Sequence, residues 1–259
     1  MTEASVLTIV SYFVAIYFGL IIGNFATTVS YRLPRNINIF GFFYKNSQPP
    51  LCSKCGHLLR FYEYLPLISW ITTFGKCNYC GKKIDPLYIF LEIFSAALSF
   101  YCYSIFKFYE WYIIFFFFGV SSLVLSIIII RFNKFPTILL CFVAVLGMLY
   151  QTLLNFSIYN WLLNCAVVGI LCIFFLQQMA KRKIYINLDL IKLIIIASIW
   201  CNYCLLICYL SIILLEYYLF KRYKLLMIEK IYKFSYFLLF IVVFINHLIY
   251  GLGYIGYGQ

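Results

Sequence analysis

The stretch VLTIVSYFVAIYFGLIIGNFATTV, Val6 to Val29, contains no charged residue and decides the fold class. As a helix rising about 1.5 Å per residue it is long enough to cross a hydrocarbon core roughly 30 Å thick. It is too long for the apolar region of a cleaved signal peptide, has no basic stretch before it and no small-residue cleavage pattern after it. The run is therefore expected to remain as a membrane span.

Similar runs recur along the chain, at about 87–106, 111–130, 135–154, 161–179, 189–201, 204–220 and 234–252. The composition agrees, with 65% hydrophobic and 11% charged residues and a mean hydropathy of +0.97, far from the usage of an average soluble domain. One polar stretch, 31–86, interrupts the pattern. The expected fold is an all-α polytopic membrane protein with a first span at 1–30, a small loop domain at 31–86 and a transmembrane domain at 87–259.

The runs at 189–201 and 204–220 are nearly continuous, and charge decides whether they count as one span or two. Lys and Arg concentrate in cytoplasmic loops. With loop 31–86 inside and about eight spans, 19 of the 20 basic residues fall inside and only Lys107 falls outside. Seven spans would turn the cluster Lys221, Arg222, Lys224, Lys230 and Lys233 outward. Eight spans with both termini outside fit better, and the net charge of +12 then reflects orientation against anionic membrane lipids. No basic and aromatic surface long enough for nucleic acid lies outside the membrane, so a nucleic-acid partner is not expected.

Four of the eleven cysteines form two pairs, Cys52-x-x-Cys55 and Cys77-x-x-Cys80, with 21 residues between them. This is the spacing of a two-knuckle tetrahedral zinc site. Gly56 and Gly81 follow the pairs and let the backbone fold back beneath a metal. Disulfides, the competing use, are disfavoured in a cytoplasmic loop. Four thiolates leave no open coordination position, so the zinc is expected to be structural. His57 is read as a bystander, and Cys102, Cys141, Cys165, Cys172, Cys201, Cys204 and Cys208 as small apolar packing residues.

The segment Gly23-Asn-Phe-Ala-Thr-Thr-Val-Ser-Tyr-Arg-Leu-Pro34, then Cys52-Ser-Lys-Cys55, Leu65-Pro-Leu-Ile-Ser69, Gly75-Lys-Cys77-Asn-Tyr-Cys80, Ile84, Tyr88 and Glu92, resembles the N-terminal part of the type IV prepilin peptidases. Those enzymes cleave and N-methylate type IV prepilins and type II secretion pseudopilins at the bacterial inner membrane. The resemblance implies a multi-pass inner-membrane protein with its zinc loop in the cytoplasm, prepilin-like partners, and S-adenosylmethionine as methyl donor. It also implies aspartyl proteolysis, in which two carboxylates share a proton.

Downstream, Ile129-Ile-Arg131-Phe-Asn-Lys-Phe-Pro136, Ile186-Asn-Leu-Asp189 and Lys233-Phe-Ser-Tyr-Phe-Leu238 are similar to later family motifs. Asp189 matches one catalytic aspartate, but Ile129 stands where the family has the other. Asp85 and Asp189 are the only aspartates, and Glu92 and Glu216 are the candidate surrogate carboxylates. The resemblance thus implies a prepilin-processing protein with impaired proteolysis. Its alternative is a pseudoenzyme that serves as a pilin-binding or assembly scaffold, or as a methyltransferase only. Transporter marks, paired broken helices and intramembrane ion relays, are not visible.

Overall fold

The computed structural model describes residues 3–39, 49–132 and 134–153, together with Ala166, Lys192 and Trp200. Five α-helices are described: α1 (Glu3–Arg32), α2 (Ile68–Thr72), α3 (Leu87–Phe106), α4 (Glu110–Phe132) and α5 (Thr137–Leu153). Three of them, α1, α3 and α4, are long and apolar enough to cross a membrane, and α5 is a shorter apolar helix. The first four expected spans coincide with α1, α3, α4 and α5. The other four runs, with Asp189, Glu216 and Cys201-x-x-Cys204, lie outside the described residues, apart from Ala166, Lys192 and Trp200.

The chain divides into two compact units, residues 1–124 and 125–259. In the first, α1 and α3 pack so closely that their backbones touch. A methyl group added at Gly19 would lie 2.6 Å from the Ser95 carbonyl oxygen, and one at Gly23 would lie 2.7 Å from the Glu92 Cα. This is small-xxx-small packing, which lets helices associate in lipid, where no hydrophobic force acts between them. Ser99 fastens the same seam, donating to the Ala15 carbonyl of α1 and sharing a 2.7 Å hydrogen bond with Tyr112 of α4. Phe18 sits among Tyr112, Phe116 and Phe117 and brings the first turns of α4 against α1.

These contacts run from Tyr12 against Phe100 and Tyr103 to Gly23 against Glu92, so α1 and α3 are antiparallel. At 30 residues, α1 is about 45 Å long. It continues two turns beyond Gly23 to Arg32 before Pro34 enters a 3-10 turn, Leu33–Arg35. Hydroxyls in those turns bond back to the helix, Thr27 to the Asn24 carbonyl at 2.7 Å and Ser30 to the Thr27 carbonyl at 2.8 Å.

In the second unit, Trp200 lies in the apolar run 189–201. Its indole N–H donates to the Val143 carbonyl at 3.0 Å, and its ring stacks on Tyr150, so Trp200 itself packs on α5. Cys102 is fully buried and Cys141 is exposed.

A long-range hydrogen bond clasps the loop domain to α3: the backbone N–H of Leu67 donates to the buried Glu92 carboxylate at 2.8 Å. Glu92 lies five residues into α3, about 7 Å along its axis. The Leu67 N–H is part-buried beside α3, where a backbone donor left without a partner is costly. Glu92→Ala should orphan this donor at a cost of about 1–3 kcal/mol, which quickens amide exchange at Leu67 by roughly ten-fold or more. Glu92→Gln keeps an acceptor oxygen and should leave exchange nearly unchanged, as read by hydrogen-exchange mass spectrometry on the reconstituted protein. Equal protection in the parent and Glu92→Ala chains would refute the clasp.

Candidate metal centre

The two cysteine pairs form one backbone motif used twice. In the first, Cys52 N–H donates to the His57 carbonyl, Gly56 N–H to the Cys52 carbonyl and Leu59 N–H to the Pro50 carbonyl, each at 2.9 Å. In the second, Cys77 N–H donates to the Lys82 carbonyl at 3.0 Å, Gly81 N–H to the Cys77 carbonyl at 2.9 Å and Ile84 N–H to the Gly75 carbonyl at 2.8 Å. Antiparallel bridges Leu51 to Leu58 and Lys76 to Lys83 close the two knuckles. Gly56 and Gly81 have φ of +71° and +67°, and a methyl group at either would meet nothing. The requirement for glycine here is conformational, not steric, as the sequence position after each pair predicts.

The knuckles bring the thiols of Cys52, Cys55, Cys77 and Cys80 within 4.8 Å of one another. A regular tetrahedron with metal–sulfur bonds of about 2.3 Å has edges of about 3.8 Å, so the cluster fits a metal ion and is compatible with zinc. His57 stands apart. Its Nδ1–H donates to the Leu58 carbonyl at 2.7 Å and its ring stacks on Tyr79 of the other knuckle.

The thiols also divide in acidity. Backbone N–H groups of Cys80 and Tyr79 donate to the Cys77 sulfur and lower its pKa to about 7. For Cys55, the His57 N–H favours the thiolate, but desolvation and the crowding thiols of Cys52, Cys80 and Cys77 prevail and raise it to about 11. One thiolate therefore forms readily and opposes the next. A divalent cation among the four sulfurs removes that conflict.

Glu63 holds the second knuckle to the rest of the loop. It accepts from the Arg60 backbone N–H at 2.8 Å and from the Asn78 amide at 3.2 Å. These donors, Arg60 first, keep its carboxyl below the usual carboxylate range. The clasp is thus formed above that range and weakens as pH falls through the lowered value.

Between the knuckles, the last turns of α1, α2 and the start of α3 lies a cavity of about 230 Å³. Asn24, Thr27, Tyr31 and Arg32 of α1 line it, with Trp70 of α2 and Thr73 just after it, Tyr88 and Glu92 of α3, and Glu63 and Asp85 of the loop. The Trp70 indole N–H is buried without a hydrogen-bond partner. Composition and spacing give no sign of this cavity, because its walls come from segments up to 68 residues apart, Asn24 to Glu92. Only part of its lining, such as Asn24, Thr27, Tyr31, Tyr88 and Glu92, lies in the motif segments singled out from the sequence; Glu63, Trp70 and Asp85 do not.

The candidate catalytic positions are treated unequally. Ile129 lies in α4 with its side chain fully buried, and Asp189 lies outside the described residues. Glu92, a candidate surrogate carboxylate, is occupied as the acceptor for Leu67.

Residues 17–106, which include both knuckles and every residue lining the cavity, match the Bacterial Peptidase A24 N-terminal domain. The chain is similar to the prepilin leader peptidase/N-methyltransferase of Vibrio cholerae, 31% identical over 137 residues, covering 49% of this chain and 53% of that protein. The protein of the same name from Myxococcus xanthus is 33% identical over 84 residues, 32% of this chain and 23% of its own length. That of Pseudomonas aeruginosa is 29% identical over 106 residues, 33% of this chain and 36% of its own. The chain thus spans about half the length of the Vibrio relative or less of the others, and no solved structure matches it. Residues 17–106 thus match an A24 N-terminal domain, and the chain is similar to prepilin leader peptidase/N-methyltransferases over at most about half of its length.

Proposed function

We propose that this protein engages type IV prepilin-like precursors at the bacterial inner membrane, with loop 31–86 in the cytoplasm, and that its aspartyl proteolysis is impaired. One observation carries the proposal. The position that the resemblance assigns to the first catalytic aspartate is Ile129, an apolar side chain wholly buried in α4.

In the family's chemistry one carboxylate accepts a proton from water while the other donates to the scissile carbonyl. Asp189 alone supplies one of these roles. A carboxylate placed at Ile129 would also have to be hydrated or paired, because an isolated buried charge is costly. A prepilin incubated with the membrane-embedded chain is expected to keep its leader. Ile129→Asp tests whether the second carboxylate is the only deficit, with partial cleavage as the expected gain. Clean cleavage by the unaltered chain would overturn the proposal.

The alternative, methyl transfer or assembly without cleavage, is supported by the contrast between the matched region at 17–106 and the altered aspartyl position. The cavity has a fitting donor set for S-adenosylmethionine. Acidic Glu63, Asp85 and Glu92 suit a sulfonium, aromatic Tyr31, Trp70 and Tyr88 suit an adenine, and the orphaned Trp70 N–H needs an acceptor. That cofactor, when bound, supplies an activated methyl group for an N-terminal amine. Equilibrium dialysis with labelled S-adenosylmethionine should show saturable binding to the full chain, weakened at least about ten-fold by Trp70→Ala. Binding that is absent or unaffected by the substitution would sink this alternative.

Zinc in the four-cysteine cluster is proposed as structural. Its four sulfur ligands hold the knuckles together where a loop of this size buries little apolar surface. Elemental analysis of the purified full chain should find about one zinc per molecule, and Cys77→Ser should reduce it severalfold. Equal zinc in both proteins would place the metal elsewhere.

A further inference from the structure

The five-residue helix α2 and the turn after it present their side chains the wrong way round for a surface in water. Ser69, Trp70 and Thr73 face the cavity. Ile71 and Phe74 point outward, 62% and 85% exposed. A short helix packed on a soluble domain would turn such apolar groups inward. Phe74 is also held at φ +50°, a backbone conformation that residues with a Cβ adopt at a cost. The hydrogen bonds from Phe74 N–H to the Ile71 carbonyl and from Gly75 N–H to the Trp70 carbonyl sustain it.

The depth of this turn identifies what it meets. Its first residue follows Leu67, whose N–H is fixed to Glu92 of α3, about 7 Å inward from the start of a helix some 30 Å long. The α2 helix spans about 7 Å, and the bond from Phe74 to Ile71 folds the chain back. Phe74 therefore lies no more than about 12 Å from Leu67. Even if α2 ran straight outward along α3, the turn would remain between the outer acyl chains and the headgroups. Lys76 follows two residues later, bridged to Lys83, and both are exposed. Basic groups beside an apolar turn match anionic phospholipid headgroups at an interface.

We propose that Ile71 and Phe74 form a wedge inserted into the lipid interface beside α3, with Lys76 and Lys83 at the headgroups. The wedge would hold the loop domain and its cavity flush with the membrane. The inference rests on α1 and α3 crossing the membrane.

The test uses the full chain in membranes rich in anionic phospholipid. A benzophenone-bearing amino acid is placed singly at Ile71, Phe74, Phe13 or Lys54, and phospholipid adducts are read by mass spectrometry after irradiation. Phe13 is 68% exposed on α1 and reports whether that helix is in lipid. Lys54 is exposed between the first pair of cysteines and serves as the aqueous reference. The probe at Phe74 replaces a side chain with little packing role. Lipid adducts at positions 71 and 74 are expected within about two-fold of those at 13 and about ten-fold above those at 54. Labelling at 13 with none at 71 and 74, or adducts there with protein instead of lipid, would overturn the wedge alone. No lipid labelling at 13 would overturn the spanning role of α1, and the wedge with it.

Discussion

The direct backbone contact between α1 and α3 is the constraint on which the rest of the N-terminal unit depends. At Gly19 and Gly23 no side chain separates the helices, so their relative height is set within a fraction of a turn. That contact fixes both ends of the intervening loop, because α1 delivers it at Arg32 and α3 receives it at Leu87. A chain tethered at both ends loses less entropy on ordering than one closed from a free coil. It still needs something to order around. Packing supplies little, since most of the two knuckles is exposed and Cys77 is the only buried cysteine of the four.

The four thiols and the Glu92 carboxylate divide that task. The thiol cluster joins residues 52–55 to 77–80 within the loop. Glu92 joins the loop to the helices, satisfying a donor that would otherwise be stranded beside α3. Glu63 adds a third tie, between the second knuckle and the turn at Phe61–Tyr64. Each tie is made by polar groups or by thiols placed to hold a metal, the expected solution for a domain too small for its own hydrophobic core. The cavity is what remains between these ties, which is why charged Glu63, Asp85 and Glu92 share its lining with apolar and aromatic side chains.

The features legible in the sequence are those that local chemistry dictates. Apolar length alone places α1, α3, α4 and α5, and the cysteine spacing with Gly56 and Gly81 places the knuckles. Hydropathy does not distinguish a face that meets lipid from one that meets another helix, since both are apolar. The Gly19 and Gly23 seam was therefore not apparent as packing, although Gly23 stood in a motif already singled out. Glu92 looked like a spare carboxylate near the active site because its partner, the Leu67 N–H, is a backbone group 25 residues away. Side-chain patterns carry no mark of which backbone donor lacks water. The outward pose of Phe74 was hidden for the same reason, being set by the turn around it and not by its neighbours in sequence.

The division between the well-matched region and the altered one has a physical basis. The cavity, the cluster and the α1–α3 seam all lie within residues 1–124, one compact unit. Their geometry rests on glycines, thiols and one carboxylate that are all present. Ile129 belongs to the second unit, where its burial adds apolar packing instead of exposing a titratable group. On the proposed reading, an isoleucine there in place of a carboxylate avoids a buried charge and its solvation cost, so it does not threaten folding. Proteolysis is then, on the same proposed reading, the activity whose loss costs this fold least, whereas losing the loop's polar ties would remove what orders the loop domain.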